Sequence, residues 1–133
     1  MPLVRIDVQE GRTSEELRKL ADTVQDVILD VFAAPPRDRY QIITEHPEGH
    51  IIAEDTGLGL ERSQEIVIIQ IFQQGRSNEQ KVAMYAELAK RLEAECKVRP
   101  EDLIVSVMAN RHADWSFGMG QAQFLDGALH PPI

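Results

Sequence analysis

Residues 3–8, Leu-Val-Arg-Ile-Asp-Val, alternate apolar with charged side chains, the period of a strand with one buried face. Gly11-Arg12 reads as a turn. Thr13 and Glu16 have the spacing of a capping box, in which each side chain satisfies a free amide of a first helical turn. Leu17, Leu20, Ala21, Val24, Val27, Ile28, Val31 and Phe32 then recur at helical spacing until Pro35-Pro36 stops the helix. Residues 40–44, Tyr-Gln-Ile-Ile-Thr, predict a second strand.

The same pattern returns after a shift of 64 residues, without a gap. Residues 67–72 predict a strand. Gly75-Arg76 falls on Gly11-Arg12, and Ser77 with Gln80 falls on the capping pair Thr13 and Glu16. Val82, Tyr85, Leu88, Ala89, Leu92 and Cys96 outline a helix. Pro100 falls on Pro36, Asp102 on Asp38, and residues 103–108 predict the last strand. The chain is therefore expected to be one α/β (α+β) domain over 1–133. It holds two β-α-β units, about 2–44 and 66–108, joined by the loop 45–65, with a C-terminal tail. A helical crossover implies parallel pairing inside each unit. Both units can share one four-stranded sheet with two helices on one face. Residues 67–72 are apolar on both faces, so the other sheet face needs cover, and a second copy of the chain is the simplest source. In the tail, Trp115, Phe117, Met119 and Phe124 with Gly118 and Gly120 predict a turn or short hairpin.

The net charge of −8 argues against a nucleic-acid partner and against an anionic membrane surface, because both require excess Lys and Arg. A small anionic substrate stays possible, since one cation in a cleft outweighs distant negative charge. No apolar run is long enough for a membrane span, and the N-terminus lacks the pattern of a signal peptide, so the expected location is the cytoplasm. Cys96 is the only cysteine, which excludes an intrachain disulfide; on the apolar helix stripe it reads as a small core residue. His46 and His50 are interrupted by Pro47 and Gly49, so they read as loop residues and no metal is expected. Gly57-Leu58-Gly59 lacks the strand–turn–helix setting of a dinucleotide loop. Glu93, Glu95, Glu101 and Asp102 read as a solvated acidic face.

Pro2 draws attention for its chemistry. A small residue after Met1 permits removal of the initiator, which leaves a secondary amine. An unperturbed α-amino group titrates at about 7.7–8.0, so modest surroundings make it a base or an acid near neutrality. It can also condense with an aldehyde to an iminium. Asp38 by position is a loop carboxylate, repeated by Asp102. Arg76 stands just before a helix, where the macrodipole disfavours a cation and favours an anionic ligand.

The Met-Pro start and the doubled unit resemble the tautomerase superfamily, and the resemblance covers nearly the whole chain. Within it the pattern is most like malonate semialdehyde decarboxylases. Glu10-Gly11-Arg12-Thr13, Arg37 to Ile42, Glu45-His46-Pro47, Glu54 to Gly59, Arg76-Ser77 with Glu79-Gln80-Lys81, and Ala113 to Gly118 carry it. The resemblance implies a homotrimer with no cofactor and no metal. It implies that Pro2 acts through its amine with Asp38 assisting. Two arginines of the family pattern bind the substrate carboxylate; the second falls on Arg76, and the first on Gln74, an uncharged departure. The apolar wall falls on Trp115, Phe117, Phe124 and Leu129. The function expected is decarboxylation of a small 3-oxo acid such as malonate semialdehyde. The alternatives are a keto–enol tautomerase, a hydratase or dehalogenase of unsaturated acids, and an inactive trimeric binding protein. Leu29 stands where the cis-haloacrylate dehalogenases carry a histidine, which counts against that branch.

Overall fold

In a computed structural model, which describes residues 2–129, the chain builds one mixed sheet with two long helices on one face. Strands β1 (Leu3–Gln9), β2 (Tyr40–His46), β3 (Val67–Gln74) and β4 (Leu103–Asn110) lie in the order β2-β1-β3-β4. β1 and β2 pair in parallel, as do β3 and β4, each pair bridged by a helix: α1 (Ser14–Phe32) and α2 (Asn78–Cys96). The two units meet through the antiparallel β1–β3 pair, with Leu3 opposite Phe72 and Val8 opposite Val67. A local pseudo-two-fold therefore runs between the central strands, which are one residue out of phase with the ungapped repeat: Val4, Ile6 and Val8 share the helix side with Val67, Ile69 and Ile71.

Both helices begin where the capping boxes predict. Thr13 Oγ1 accepts from the Glu16 amide at 3.1 Å while Glu16 Oε1 accepts from the Thr13 amide at 2.9 Å. Ser77 and Gln80 repeat this at 3.1 and 3.0 Å. The core lies between helices and sheet. Val4, Ile6 and Val8 of β1 and Val67, Ile69 and Ile71 of β3 interleave with Val24, Val27, Ile28, Met84, Leu88 and Leu92. The inward face of α2 is thus Met84, Leu88 and Leu92. Val82, expected on it, is 65% exposed, and Tyr85 is also exposed.

Three strands outrun their apolar segments by two residues: β2 continues through Glu45-His46, β3 through Gln73-Gln74, and β4 through Ala109-Asn110. Ladder pairing holds these polar ends, Glu45 against Val8 and Gln74 against Asn110. The opposite sheet face carries Leu3, Ile42, Ile68, Phe72, Ile104 and Met108 among polar neighbours, and neither long helix covers it. Tail residues His112–Asp114 form a 3-10 turn and Gln123–Asp126 a one-turn helix, α3. The expected turn lies at residues 118–120, but no hairpin forms among the described residues. No helix among them is long and apolar enough to cross a membrane.

One expectation fails instructively. Asp102 is not part of a solvated face but is 0% exposed. Its carboxylate accepts from the Ser63 amide and the Ser63 hydroxyl, each at 2.6 Å, and so pins the loop between the units to the start of β4. We expect Asp102→Ala to cost about 2–3 kcal/mol, since hydrogen bonds to a buried charge are lost and a backbone donor is left unmet. A urea midpoint unchanged from the parent would show that this loop is held by something else.

Candidate active site

The candidate residues gather at one end of the sheet. Pro2 is buried and lies one residue before β1. Extending the ladders by that residue sets it between Arg39, just before β2, and Gln73 on β3. Asp38, in the turn ahead of β2, is 5% exposed; its amide bonds the Pro35 carbonyl at 3.0 Å. Its neighbour Arg39 is committed elsewhere, to Asp22 at 2.6 Å and Gln41 at 2.8 Å. Those contacts hold the residue next to the buried Asp38 against α1 and β2.

Arg76 enters from the other unit. Gly75 between β3 and α2 has φ +52°, a backbone conformation that suits glycine and turns the chain sharply. The Arg76 guanidinium carbon then stands 5.1 Å from the centre of the Phe32 ring, at the C-terminal end of α1. Its Nη1 donates to the Gly75 carbonyl at 3.1 Å, and its buried Nε has no hydrogen-bond partner among the described residues. Asp38 and Arg76 feel each other's charge. Burial pushes the Asp38 carboxyl up from its usual value, with nearby positive charge, that of Arg76 included, pulling it back. Burial lowers the Arg76 value, and Asp38 opposes that shift. A carboxylate and a guanidinium that share one desolvated site are a suitable frame for an anionic substrate and a proton.

Gln74 is 3% exposed, and neither the oxygen nor the nitrogen of its side-chain amide has a partner among the described residues. On the outer face of the sheet the tail contributes the aromatic set. Phe117 stacks on Trp115 at 5.3 Å and on Tyr40 at 5.7 Å, and meets Phe124 edge-on at 5.5 Å. Trp115 Nε1 donates to Asn110 Oδ1 at 2.9 Å, which fixes the indole to the end of β4. Tyr40 pairs with Leu3 in the ladder, so the cluster reaches the strand end that carries Pro2. Leu129 is half-buried, with its amide on the Gln123 carbonyl at 3.0 Å. His130 to Ile133 lie outside the described residues.

Sequence reasoning missed Phe32, Tyr40, Gln25 and Gln73. Phe32 and Tyr40 were counted as helix and strand positions, and nothing local marks them further. The glutamines had a signal: Gln25 stands at i+4 from Ala21 and i−3 from Ile28 on the buried helix stripe, and Gln73-Gln74 close an apolar strand. The weaker motifs have structural uses. His46 Nε2 lies 2.7 Å from Asp7 Oδ1, and the Asp55 carboxylate accepts from the amides of Gly57 and Gly59. Cys96 is half-buried, with its sulfur 3.6 Å from Thr23 Oγ1.

The repeat offers an internal control. The counterpart of Pro2 is Ile66, which lies inside the chain and has no amine to release. Beside it a cavity of about 320 Å³ is lined by Gln9, Glu10, Gly11, Arg12, Cys96 and Lys97, the counterparts of Gln73, Gln74, Gly75, Arg76, Phe32 and Ala33. There Arg12 donates to the Glu65 carbonyl at 2.9 Å and Asp102 is locked by Ser63. Of two equivalent sheet ends, one has its charged groups committed to loop 45–65.

Comparison with known proteins agrees with this architecture. Residues 38–118 match one family described as tautomerase enzyme, and residues 2–61 match a second of the same description. The probable tautomerase YrdN of Bacillus subtilis is 50% identical over 97% of this chain and all of its own length. YusQ of the same organism, also a probable tautomerase, is 33% identical over 95% of this chain and its whole length. A solved malonate semialdehyde decarboxylase superposes with a TM-score of 0.92 at 42% identity, covering 96% of this chain and 98% of the other. FG41 malonate semialdehyde decarboxylase inhibited by 3-bromopropiolate superposes at 0.93 with 44% identity, covering 98% and 99%. Native fused 4-OT, at 20% identity and 0.76, shares the fold. The chain belongs to the tautomerase superfamily and is similar over nearly its full length to malonate semialdehyde decarboxylase.

Proposed function

We propose that this enzyme decarboxylates a small 3-oxo acid such as malonate semialdehyde without a cofactor, using the amine of Pro2. The observation that carries the reading is the buried Asp38 carboxylate with the half-buried Arg76 guanidinium, each within the other's field, at the sheet end where Pro2 precedes β1. Arg76 holds the substrate carboxylate through its charge, and Gln74 adds an uncharged donor. Pro2, as a cation or as an iminium formed with loss of water, draws electron density from the aldehyde carbon. The bond to the carboxylate breaks, carbon dioxide leaves, and its electron pair becomes an enol or enamine. Protonation at carbon, then hydrolysis where the intermediate is covalent, gives acetaldehyde. Asp38 keeps the amine or a water in place, and the wall of Trp115, Phe117, Phe124 and Leu129 excludes bulk water.

The assembly proposed is a homotrimer, whose subunit contacts cover the apolar sheet face left open by α1 and α2. The name shared by both Bacillus relatives favours a second reading, keto–enol tautomerisation with Pro2 as a neutral base. The test is incubation of the purified protein, its mass read by sedimentation, with malonate semialdehyde. The expected result is a trimer that yields acetaldehyde and carbon dioxide in equal amounts. A stable monomer at micromolar concentration overturns the assembly. Rapid ketonisation of a 2-oxo acid enol with no decarboxylation overturns the reaction in favour of the second reading.

A further inference from the structure

Gln73 is the least explained residue of the sheet. It is 1% exposed, and both its Oε1 and its Nε2 lack a hydrogen-bond partner among the described residues. The alternation along β3 places it on the helix-facing side with Val67, Ile69 and Ile71, where leucine could fill a similar volume without an amide to satisfy. Gln9, which the sequence repeat aligns with it, falls by the alternation of β1 on the side of Leu3, Arg5 and Asp7, is half-buried and lines an open cavity, so an amide there meets water. The ladder places Gln73 directly beside Pro2, one step beyond the Leu3–Phe72 pair. Opposed residues of an antiparallel pair have their Cβ atoms about 5 Å apart, within reach of a glutamine side chain.

While Met1 is attached, the Pro2 nitrogen belongs to a peptide bond and carries no hydrogen. Removal of Met1 creates two N–H donors on a charged amine at this place. We propose that Gln73 is a positioning residue for Pro2: its side-chain carbonyl accepts one hydrogen of the Pro2 ammonium and favours the charged form of the amine. Initiator removal thus supplies the partner that Gln73 lacks. Gln25 works from the helix above. The Ala21 carbonyl accepts from Gln41 Nε2 at 2.8 Å, and one helical turn further along α1 reaches the level of Arg39 and Pro2. Gln25 is buried, its Nε2 has no partner, and it provides a second amide on the same side.

The other ionisable groups facing Pro2 are few. Asp38 and Arg76 carry opposite charges. Arg39 is paired with Asp22, and Arg5 and Asp7 lie on the far sheet face. Ser77 and Gln80 at the start of α2 are tied in the capping box. From the tail, Asp114 accepts from the Arg111 amide and His112 meets the Phe124 ring at a tilt of 41°. With those constant, removing the Gln73 carbonyl lowers the affinity of Pro2 for its proton.

The inference rests on the proposed role of Pro2, and the test separates the two. Protein labelled with 15N-proline, with Met1 removed as checked by mass, is titrated by NMR alongside Gln73→Leu and Gln73→Met. The two variants differ in length, so that one tolerated by the core suffices. The expected result is a Pro2 pKa lower by roughly one unit in the apolar variants. The alkaline limb of the pH–rate profile, set by loss of the Pro2 proton, moves with it to lower pH, which a purely structural role does not produce. A titration within about 0.2 units of the parent in a folded variant overturns the inference and leaves a water or a neighbouring subunit as the partner of Gln73. A retained Met1 with full turnover sinks the role of Pro2 itself.

Discussion

Replacing Pro2 by alanine lowers turnover by a factor of about 100 or more, the scale of losing a positioned general acid or base. The substitution is a demanding test because alanine also permits removal of Met1 and also leaves an α-amine near this place. What it loses is the ring. Proline fixes its own φ, so its amine has one orientation relative to β1 and Asp38. A primary amine on alanine rotates freely and adds a third N–H when protonated. The expected profile is a fall in kcat with a smaller change in KM, since the carboxylate of the substrate is held elsewhere. Mass spectrometry of the parent protein must show Met1 absent. Full activity with Met1 retained would exclude the amine as the catalyst.

The fold was legible because it is written twice. Alternation in residues 3–8, two capping boxes and two proline stops each mark an element boundary, and the structure has an element at each. The strand ends were not legible, since Gln73, Gln74, Glu45 and Asn110 are held by ladder pairing rather than by hydrophobicity. The exposure of Val82 was missed for a related reason. Periodicity finds a helix but does not choose between two apolar stripes when both are present, and Met84, Leu88 and Leu92 won.

At the candidate site the repeat was both help and obstacle. It aligned Asp38 with Asp102 and Arg76 with Arg12, and so made neither aspartate special. The difference lies in residues far away in sequence. Ser63 satisfies Asp102, and the Glu65 carbonyl occupies Arg12, because the loop 45–65 runs back over that sheet end. Asp38 stands instead at the end where the chain begins, with Arg76 near enough to influence it. The aromatic set was marked by its glycine-rich setting, but Tyr40 joins it only through the sheet and had no local signal.

Arg76→Ala is expected to lower the specificity constant roughly ten- to hundredfold, which is the loss of a charge-assisted hydrogen bond of about 1.5–3 kcal/mol. The geometry supports a large value. The guanidinium is half-buried over Phe32, and among the described residues its Nε has no partner and its bonds go to the carbonyls of Gln74 and Gly75. A cation in that state gains when an anion arrives. Its loss also removes one of the positive charges near Asp38, so the Asp38 carboxyl rises further and the acid limb of the pH–rate profile moves to higher pH. Gln74→Ala costs less, because an uncharged donor is lost. Gln74→Arg restores a two-arginine arrangement and lowers KM for small carboxylates, provided the new guanidinium finds room at a position now 3% exposed. The comparison has a clear failing outcome. If Arg76→Ala is silent while Gln74→Ala is severe, the carboxylate is held by Gln74 and the α2 amides, and Arg76 serves only to pack on Phe32 at the end of α1.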